Sequence, residues 1–142
     1  MVSIARSHQR LVVNLLVRVV DILSGKTESH KVLYDDPSAT SGFVIIPDMK
    51  WDLTTISSLY LVAIARSREL HSLRDLRKSH LDMLRNIRKE SARVVEEKWG
   101  MGKGTTRLFI HYQPSYCELT LMLDNNNRQY NALEQTTSMC TL

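Results

Sequence analysis

The segment His111-Tyr112-Gln113-Pro114-Ser115-Tyr116 gathers side chains that can do chemistry around one predicted turn. An imidazole, a hydroxyl and two phenols can surround an anion at such a turn, because each of these groups can donate a hydrogen bond. Proline and serine favour a bend between two strands. Taken alone, the same residues fit the tyrosine-rich end of an ordinary sheet, and that interpretation is the favoured one before other segments are considered.

A glycine-rich stretch, Gly100–Thr105, offers a second phosphate-binding pattern. A phosphate loop needs G-x-x-x-x-G-K-[ST] between a strand and a helix. Here the glycines follow a predicted helix and precede a predicted strand, and their spacing differs. The stretch therefore predicts a helix end followed by a turn.

Basic residues are concentrated over residues 66–107, where 12 Lys and Arg stand against 6 Asp and Glu, a local charge of +6. Such a stretch attracts phosphate. Opposite charges interleave with it, as in Asp82 with Arg85 and Glu96 with Lys98. Interleaving favours a solvated helix face over a nucleic-acid surface, although both interpretations remain open.

The composition is that of one ordinary globular domain: 142 residues, 43% hydrophobic, 24% charged and a net charge of +4. Two cysteines and scattered histidines make neither a disulfide framework nor a zinc motif, so we expect no cofactor and no metal. The apolar stretch Leu11–Leu23 is interrupted by polar residues and is shorter than the roughly 20 residues of a membrane span, so we expect no membrane association. Its arginine-bearing start leaves a targeting signal as the alternative to an amphipathic helix.

Hydrophobic periodicity predicts two helices and five strands. One helix covers Leu11–Leu23, and a longer one is capped by Ser79 and ends at Gly100. The buried stripe of the longer helix is predicted to comprise Leu81, Leu84, Ile87, Ala92, Val95 and Trp99. The predicted strands are Lys31–Tyr34, Gly42–Ile46, Tyr60–Ala65, Arg107–Tyr112 and Cys117–Leu123. Strands and helices are partly segregated, which predicts an α+β fold with an antiparallel sheet.

Ordered blocks of the sequence, from about Val19 to Leu121, match one known family. They are Asp36-Pro37, Ser41–Trp51, Leu59–Ala65, Ser72–Leu76, Leu84–Ile87 and His111–Tyr116. In these blocks the chain resembles the scavenger mRNA-decapping enzymes, which are histidine-triad hydrolases. The resemblance implies an N-terminal extension over 1–18, a partial histidine-triad-like domain over 19–123 and a polar tail over 124–142.

The family acts as m7GpppX diphosphatase in mRNA decay: it cleaves capped dinucleotides and short capped RNA fragments through a phosphohistidine and needs no metal. Five residues match its positions around the cap: Glu28, Pro47, Asp48, Met49 and Lys50. Three match positions around the phosphates: His111, Ser115 and Tyr116. The resemblance implies that Glu28 and Asp48 hydrogen-bond the methylguanine edge. It also implies a homodimer, or a heterodimer with an intact family member, in the cytoplasm or nucleus.

Two departures from the family pattern bear on activity. The triad H-φ-H-φ-H is replaced by Glu118-Leu119-Thr120-Leu121-Met122, with Thr120 at the position of the nucleophile. An alcohol is a weak nucleophile at neutral pH without an activating base. Arg18 stands where the family stacks an aromatic ring on the cationic base, so the cation–π attraction is lost. We therefore expect catalysis to be lost and cap binding to be weak; the alternatives are a non-catalytic cap-fragment binding or interaction protein and a truncated product without stable function.

The tail over 124–142 begins with a run of asparagines and has few periodic apolar positions. It is predicted to be disordered, because it cannot bury enough apolar area to offset the entropy of ordering. The alternative is a docked helix through Tyr130, Leu133 and Thr137, which lie at helical spacing. Since the family has a dimerisation domain before Val19 and further structure after the triad strand, we expect an incomplete domain.

Overall fold

The computed structural model describes residues 20–26, 29–49, 51–111, 119–125 and 139–141. Within these residues six strands form one sheet in the order β1-β2-β3-β5-β4-β6, with every neighbouring pair antiparallel. The strands are β1 Tyr34–Asp35, β2 Phe43–Pro47, β3 Tyr60–Ala65, β4 Thr106–His111, β5 Thr120–Asn125 and β6 Met139–Thr141. One long helix, α1, covers Leu81–Trp99, and short 3-10 turns cover Ser29–Lys31, Ile56–Ser58, Leu73–Asp75 and Lys78–His80. The predicted α+β class is confirmed.

Side chains alternate between the two faces of the sheet and make two apolar clusters. The cluster on the α1 face joins Met83, Ile87 and Val95 of the helix to Phe43, Ile45, Leu61, Ala63, Leu108, Ile110, Leu121 and Leu123 of the strands. The opposite face carries Val44, Ile46, Val62, Ile64, Phe109 and Met122, packed against Ile22 of the helical residues 20–23. Because β5 alternates in the same way, Thr120 and Asp124 belong to the face of Met122, away from α1.

The bounds of α1 differ from the sequence prediction at its start and agree at its end. Ser79 is not the cap: it lies inside the turn Lys78–His80, and the helix begins at Leu81. His80 is the N-cap residue, and its Nδ1 accepts the backbone N–H of Arg77 at 2.8 Å, which fixes the preceding turn. Gly100 ends the helix with φ of +66°, as its lack of a Cβ allows.

The buried stripe of α1 is only partly the predicted one. Ile87 and Val95 are buried, whereas Leu81 is 42% exposed. Glu90 and Ser91 face the protein instead. The carboxylate of Glu90 is compensated by Arg93 at 2.7 Å, which a pattern of apolar residues does not reveal.

Three other expectations are corrected or extended. The predicted strand Lys31–Tyr34 is shorter and later, because Ser29–Lys31 turn and only Tyr34–Asp35 pair with β2. β5 continues through Asn125, and Met139–Thr141 form an edge strand on β4, both within the stretch predicted to be disordered. Residues 126–138, like residues 1–19 of the N-terminal segment, lie outside the described residues. None of the helices that the structure describes is long and apolar enough to span a bilayer.

Gly42 closes the turn that joins β1 to β2, and the turn leaves no room for a side chain there. Its N–H donates to the carbonyl of Ser38 at 3.0 Å, while the Asp36 carboxylate accepts the N–H of Ser38 at 3.0 Å. A Cβ on Gly42 would collide with the carbonyl oxygens of Ser38 and Asp36. Gly42→Ala should therefore lower the free energy of unfolding by about 1–3 kcal/mol in urea denaturation, since the backbone must shift to fit it.

Gly102→Ala is the matched control for this change, because a Cβ at Gly102 meets nothing within 4 Å. We expect its unfolding midpoint to stay close to that of the unaltered protein. Equal midpoints for the two variants would show that the hairpin turn is not packed as described.

Candidate functional site

Three of the cap-contact candidates lie where β2 ends. Pro47 is the last residue of the strand and pairs with Leu61, and the Asp48 N–H donates to the carbonyl of Tyr60 at 2.9 Å. Asp48 is half-buried, whereas Met49 is 66% exposed. The end of β2 therefore places the carboxylate of Asp48 and the exposed thioether of Met49 next to each other in sequence at one end of the sheet.

Trp51 anchors the segment 48–56, here called the cap loop, to the protein core. This indole is buried, packs edge-to-face on Trp99 with ring centroids 5.2 Å apart, and donates from Nε1 to the carbonyl of Thr55 at 2.9 Å. The carboxylate of Asp52 accepts the N–H groups of Thr54 and Thr55 at 3.0 and 2.9 Å. Bonds to the side chain and backbone of Thr55 and to the Thr54 N–H lower the pKa of Asp52 to about 2. Residues 51–55 of the loop are thus ordered by their own hydrogen bonds.

The exposed residues of the cap loop include three large hydrophobic side chains beside polar ones, and one of the three carries backbone strain. Met49, Leu53 and Ile56 are all exposed large hydrophobic residues. Leu53 has a φ of +66°, a conformation that is costly for a residue with a branched side chain and that recurs at ligand-binding sites. An apolar surface beside the Asp48 carboxylate suits a planar base that presents N–H donors at its edge.

The strand that matches the family's triad is β5, between β3 and β4. Thr120 is 0% exposed and lies opposite Ile64, and Met122 lies between Val62 and Phe109. Glu118 is outside the described residues. Because Thr120 is fully covered, a substrate can reach its hydroxyl only after β5 is uncovered. Met122 supplies no group that transfers a proton.

A buried ion pair on this face was missed by the sequence analysis, which assigned Asp124 to the tail. Arg107 donates from Nε to Oδ1 of Asp124 at 2.8 Å and from a terminal nitrogen to Oδ2 at 3.2 Å. The carboxylate is 0% exposed and the guanidinium 36%. Asp124 continues the alternation of Thr120 and Met122, and that periodicity was the available signal. The next residue, Asn125, donates from its side-chain amide to the carbonyl of Ile56 at 3.1 Å and so ties β5 to the cap loop.

The structure separates the cap candidates from His111. Strand register places Asp48 beside Tyr60, then Asp124 and Arg107. His111 is the last residue of β4, in register with Met139 at the opposite end of the sheet. Arg107 and His111 are four residue steps apart along β4, so these two ends are separated by roughly 13 Å. Four of the candidates lie outside the described residues: Glu28, Lys50, Ser115 and Tyr116. The residues that the structure describes contain no cluster of three or more side chains that could hold a metal ion.

Comparison with known proteins gives one consistent result. The sequence model of the family described as "Scavenger mRNA decapping enzyme C-term binding" matches residues 18–136. The m7GpppX diphosphatases of Schizosaccharomyces pombe and Homo sapiens are each 39% identical over 101 residues, which is 71% of this chain and 33% and 30% of theirs. That of Caenorhabditis elegans is 35% identical over 124 residues, 87% of this chain and 39% of its own. The chain spans about a third of the length of these curated relatives. It belongs to the scavenger mRNA-decapping enzyme family.

Proposed function

We propose that this domain binds the capped end of a short RNA fragment at the cap loop and does not cleave it. The observation that carries the proposal is Thr120, which stands at the nucleophile position and is fully buried in a central strand. A covalent mechanism needs an accessible nucleophile with a base to activate it. The relatives carry the name m7GpppX diphosphatase. We propose that this chain binds the same kind of capped ligand but does not hydrolyse it.

Support for binding comes from the cap loop. The Asp48 carboxylate accepts hydrogen bonds only, so it fits the N–H donors on the Watson–Crick edge of guanine. The exposed Met49 and Leu53 offer apolar contact to the base plane. The loop is fixed by Trp51 and Asp52 before a ligand arrives, which reduces the entropic cost of binding.

The binding half of this proposal is tested by calorimetry with a capped dinucleotide. Asp48→Asn turns one acceptor oxygen into a donor and removes the charge, so binding should weaken at least about tenfold, as for a lost charged hydrogen bond. Asp82→Asn is the matched control, because Asp82 is an exposed carboxylate on α1. Equal affinity for the two variants would place the ligand elsewhere.

We expect little preference for the methylated base. Arg18 stands at the family position of the stacking aromatic, and a stacked base contributes about 1–3 kcal/mol. Methylated and unmethylated cap analogues should therefore bind within a few-fold of each other, and Arg18→Trp should tighten binding of the methylated form by about 5- to 150-fold. Strong preference for the methylated analogue by the unaltered chain would contradict this expectation.

A second candidate function is pairing with an intact family member. The exposed Met49, Leu53 and Ile56 favour it, because several large apolar side chains exposed on one loop can mark an interface. Leu53→Ser and Ile56→Ser would abolish co-elution with such a partner in size-exclusion chromatography if the cap loop is the contact. Undiminished co-elution would exclude the loop from that contact.

A further inference from the structure

We propose that the groove between α1 and the start of β4 binds the phosphodiester chain of single-stranded nucleic acid. The groove has a volume of about 730 Å³. Among the described residues, the cationic ones that line it are Arg85, Arg88, Lys89, Arg93, Lys103 and Arg107, and the one acidic residue is Glu96. The guanidinium of Arg107, however, pairs with Asp124 on the opposite face of the sheet. The groove is distinct from the cap loop, because none of the described residues of segment 48–56 lines it.

The helix sequence places the cations by simple periodicity. Arg85, Lys89, Ala92 and Glu96 repeat at intervals of three or four, so they line one flank of α1. After the helix ends, the turn before β4 brings Lys103 to the other wall of the groove. Six of the 12 basic residues of the stretch 66–107 therefore line one concave surface.

Internal ion pairs account for only half of this charge. Arg85 pairs with Asp82, Arg93 pairs with Glu90 and Glu97, and Arg107 pairs with Asp124. In the described part of the chain, the side chains of the other three cations, Arg88, Lys89 and Lys103, have no hydrogen-bond or ion-pair partner. All three are exposed. Unpaired cations in a concave surface concentrate anions.

The floor of the groove favours nucleic acid over an acidic peptide. Leu108, Leu123 and Ala92 supply apolar surface beneath the cations. A nucleotide offers an apolar base face together with its phosphate, and arginine guanidinium planes stack on bases. An acidic peptide would satisfy the cations but would leave the apolar floor without a matching group.

The test is fluorescence anisotropy with a labelled, uncapped eight-nucleotide RNA. Because this RNA has no cap, the result does not depend on whether the cap loop binds a cap. Three contacted phosphates predict that log K falls with log salt with a slope of about −2. The variant Arg88→Gln/Lys89→Gln/Lys103→Gln should bind at least about tenfold more weakly, with a slope near zero. Lys26→Gln/Lys78→Gln/Lys98→Gln is the control, because it removes the same charge from exposed positions outside the groove.

The outcomes separate the alternatives. Single-stranded DNA that binds as well as RNA would assign recognition to the phosphodiester chain, and a preference for RNA would add the 2′-hydroxyl; both support the proposal. It is overturned if the control variant weakens binding as much as the groove variant, if a polyglutamate peptide binds as tightly as RNA, or if no RNA binds at low salt. Should the triple variant not fold, as judged by circular dichroism, Lys103→Glu in the exposed turn serves as the groove variant.

Discussion

Arg107→Ala should lower the free energy of unfolding by about 3–5 kcal/mol, because it removes the cation that neutralises the buried carboxylate of Asp124. This carboxylate is 0% exposed and accepts two hydrogen bonds from the guanidinium. The expected loss is a large part of the 5–15 kcal/mol that stabilises a typical domain. Urea denaturation followed by tryptophan fluorescence measures it, since Trp51 and Trp99 pack together in the folded protein.

Arg85→Ala is the matched control, because its pair with Asp82 is exposed on both sides, 75% and 93%. An exposed pair contributes about 0–1 kcal/mol. Combining Arg107→Ala with Asp124→Asn should recover part of the loss, because the uncompensated charge is then gone. If Arg107→Ala cost no more than Arg85→Ala, Asp124 would not be a buried anion at the end of β5.

The elements that a local sequence pattern defines were predictable from the sequence. Tyr60–Ala65 is a strand with the predicted bounds, because a short, continuous apolar run suits a strand buried on both faces. The end of α1 at Gly100 followed from the need for a residue that adopts positive φ. The pairing of β1 with β2 followed from the turn chemistry of Asp36 and Pro37.

Elements decided by tertiary contacts were not predictable from local pattern. The N-cap of α1 is His80 instead of the predicted Ser79, because His80 and not Ser79 bonds the backbone of the preceding turn. Glu90 faces inward because Arg93 compensates its charge. Met139–Thr141 is a strand because β4 offers it an edge, and three residues carry too little pattern to predict that pairing.

The place of Asp48 and Met49 in the fold was predictable, but their surroundings were not. Pro47 marks the end of β2 in the sequence, so the place of Asp48 and Met49 followed from it. The exposure of Met49, Leu53 and Ile56 did not follow, since it depends on Trp51 taking the buried side of the cap loop. The partnership of Asp124 with Arg107 requires the strand register, which brings residues 17 positions apart into contact.

Hydrolysis of capped dinucleotides should be absent or trace in this chain. Loss of a covalent nucleophile costs on the order of 10⁶ in kcat in a well-studied protease, and Thr120 lacks an imidazole and is buried. Thr120→His alone should not restore full activity, because Glu118 and Met122 also differ from the triad and neither replaces a histidine. Full rescue by that single change would show that the rest of the site is intact.

The proposal of binding without cleavage is tested most directly by one measurement on purified protein that is free of any active relative. The capped dinucleotide is added in excess, and the 7-methylguanosine monophosphate released is quantified by chromatography while bound dinucleotide is measured in the same sample. The account predicts dinucleotide bound at the cap loop and recovered intact. Release at a rate typical of enzymes, about 1–10³ s⁻¹, would contradict it.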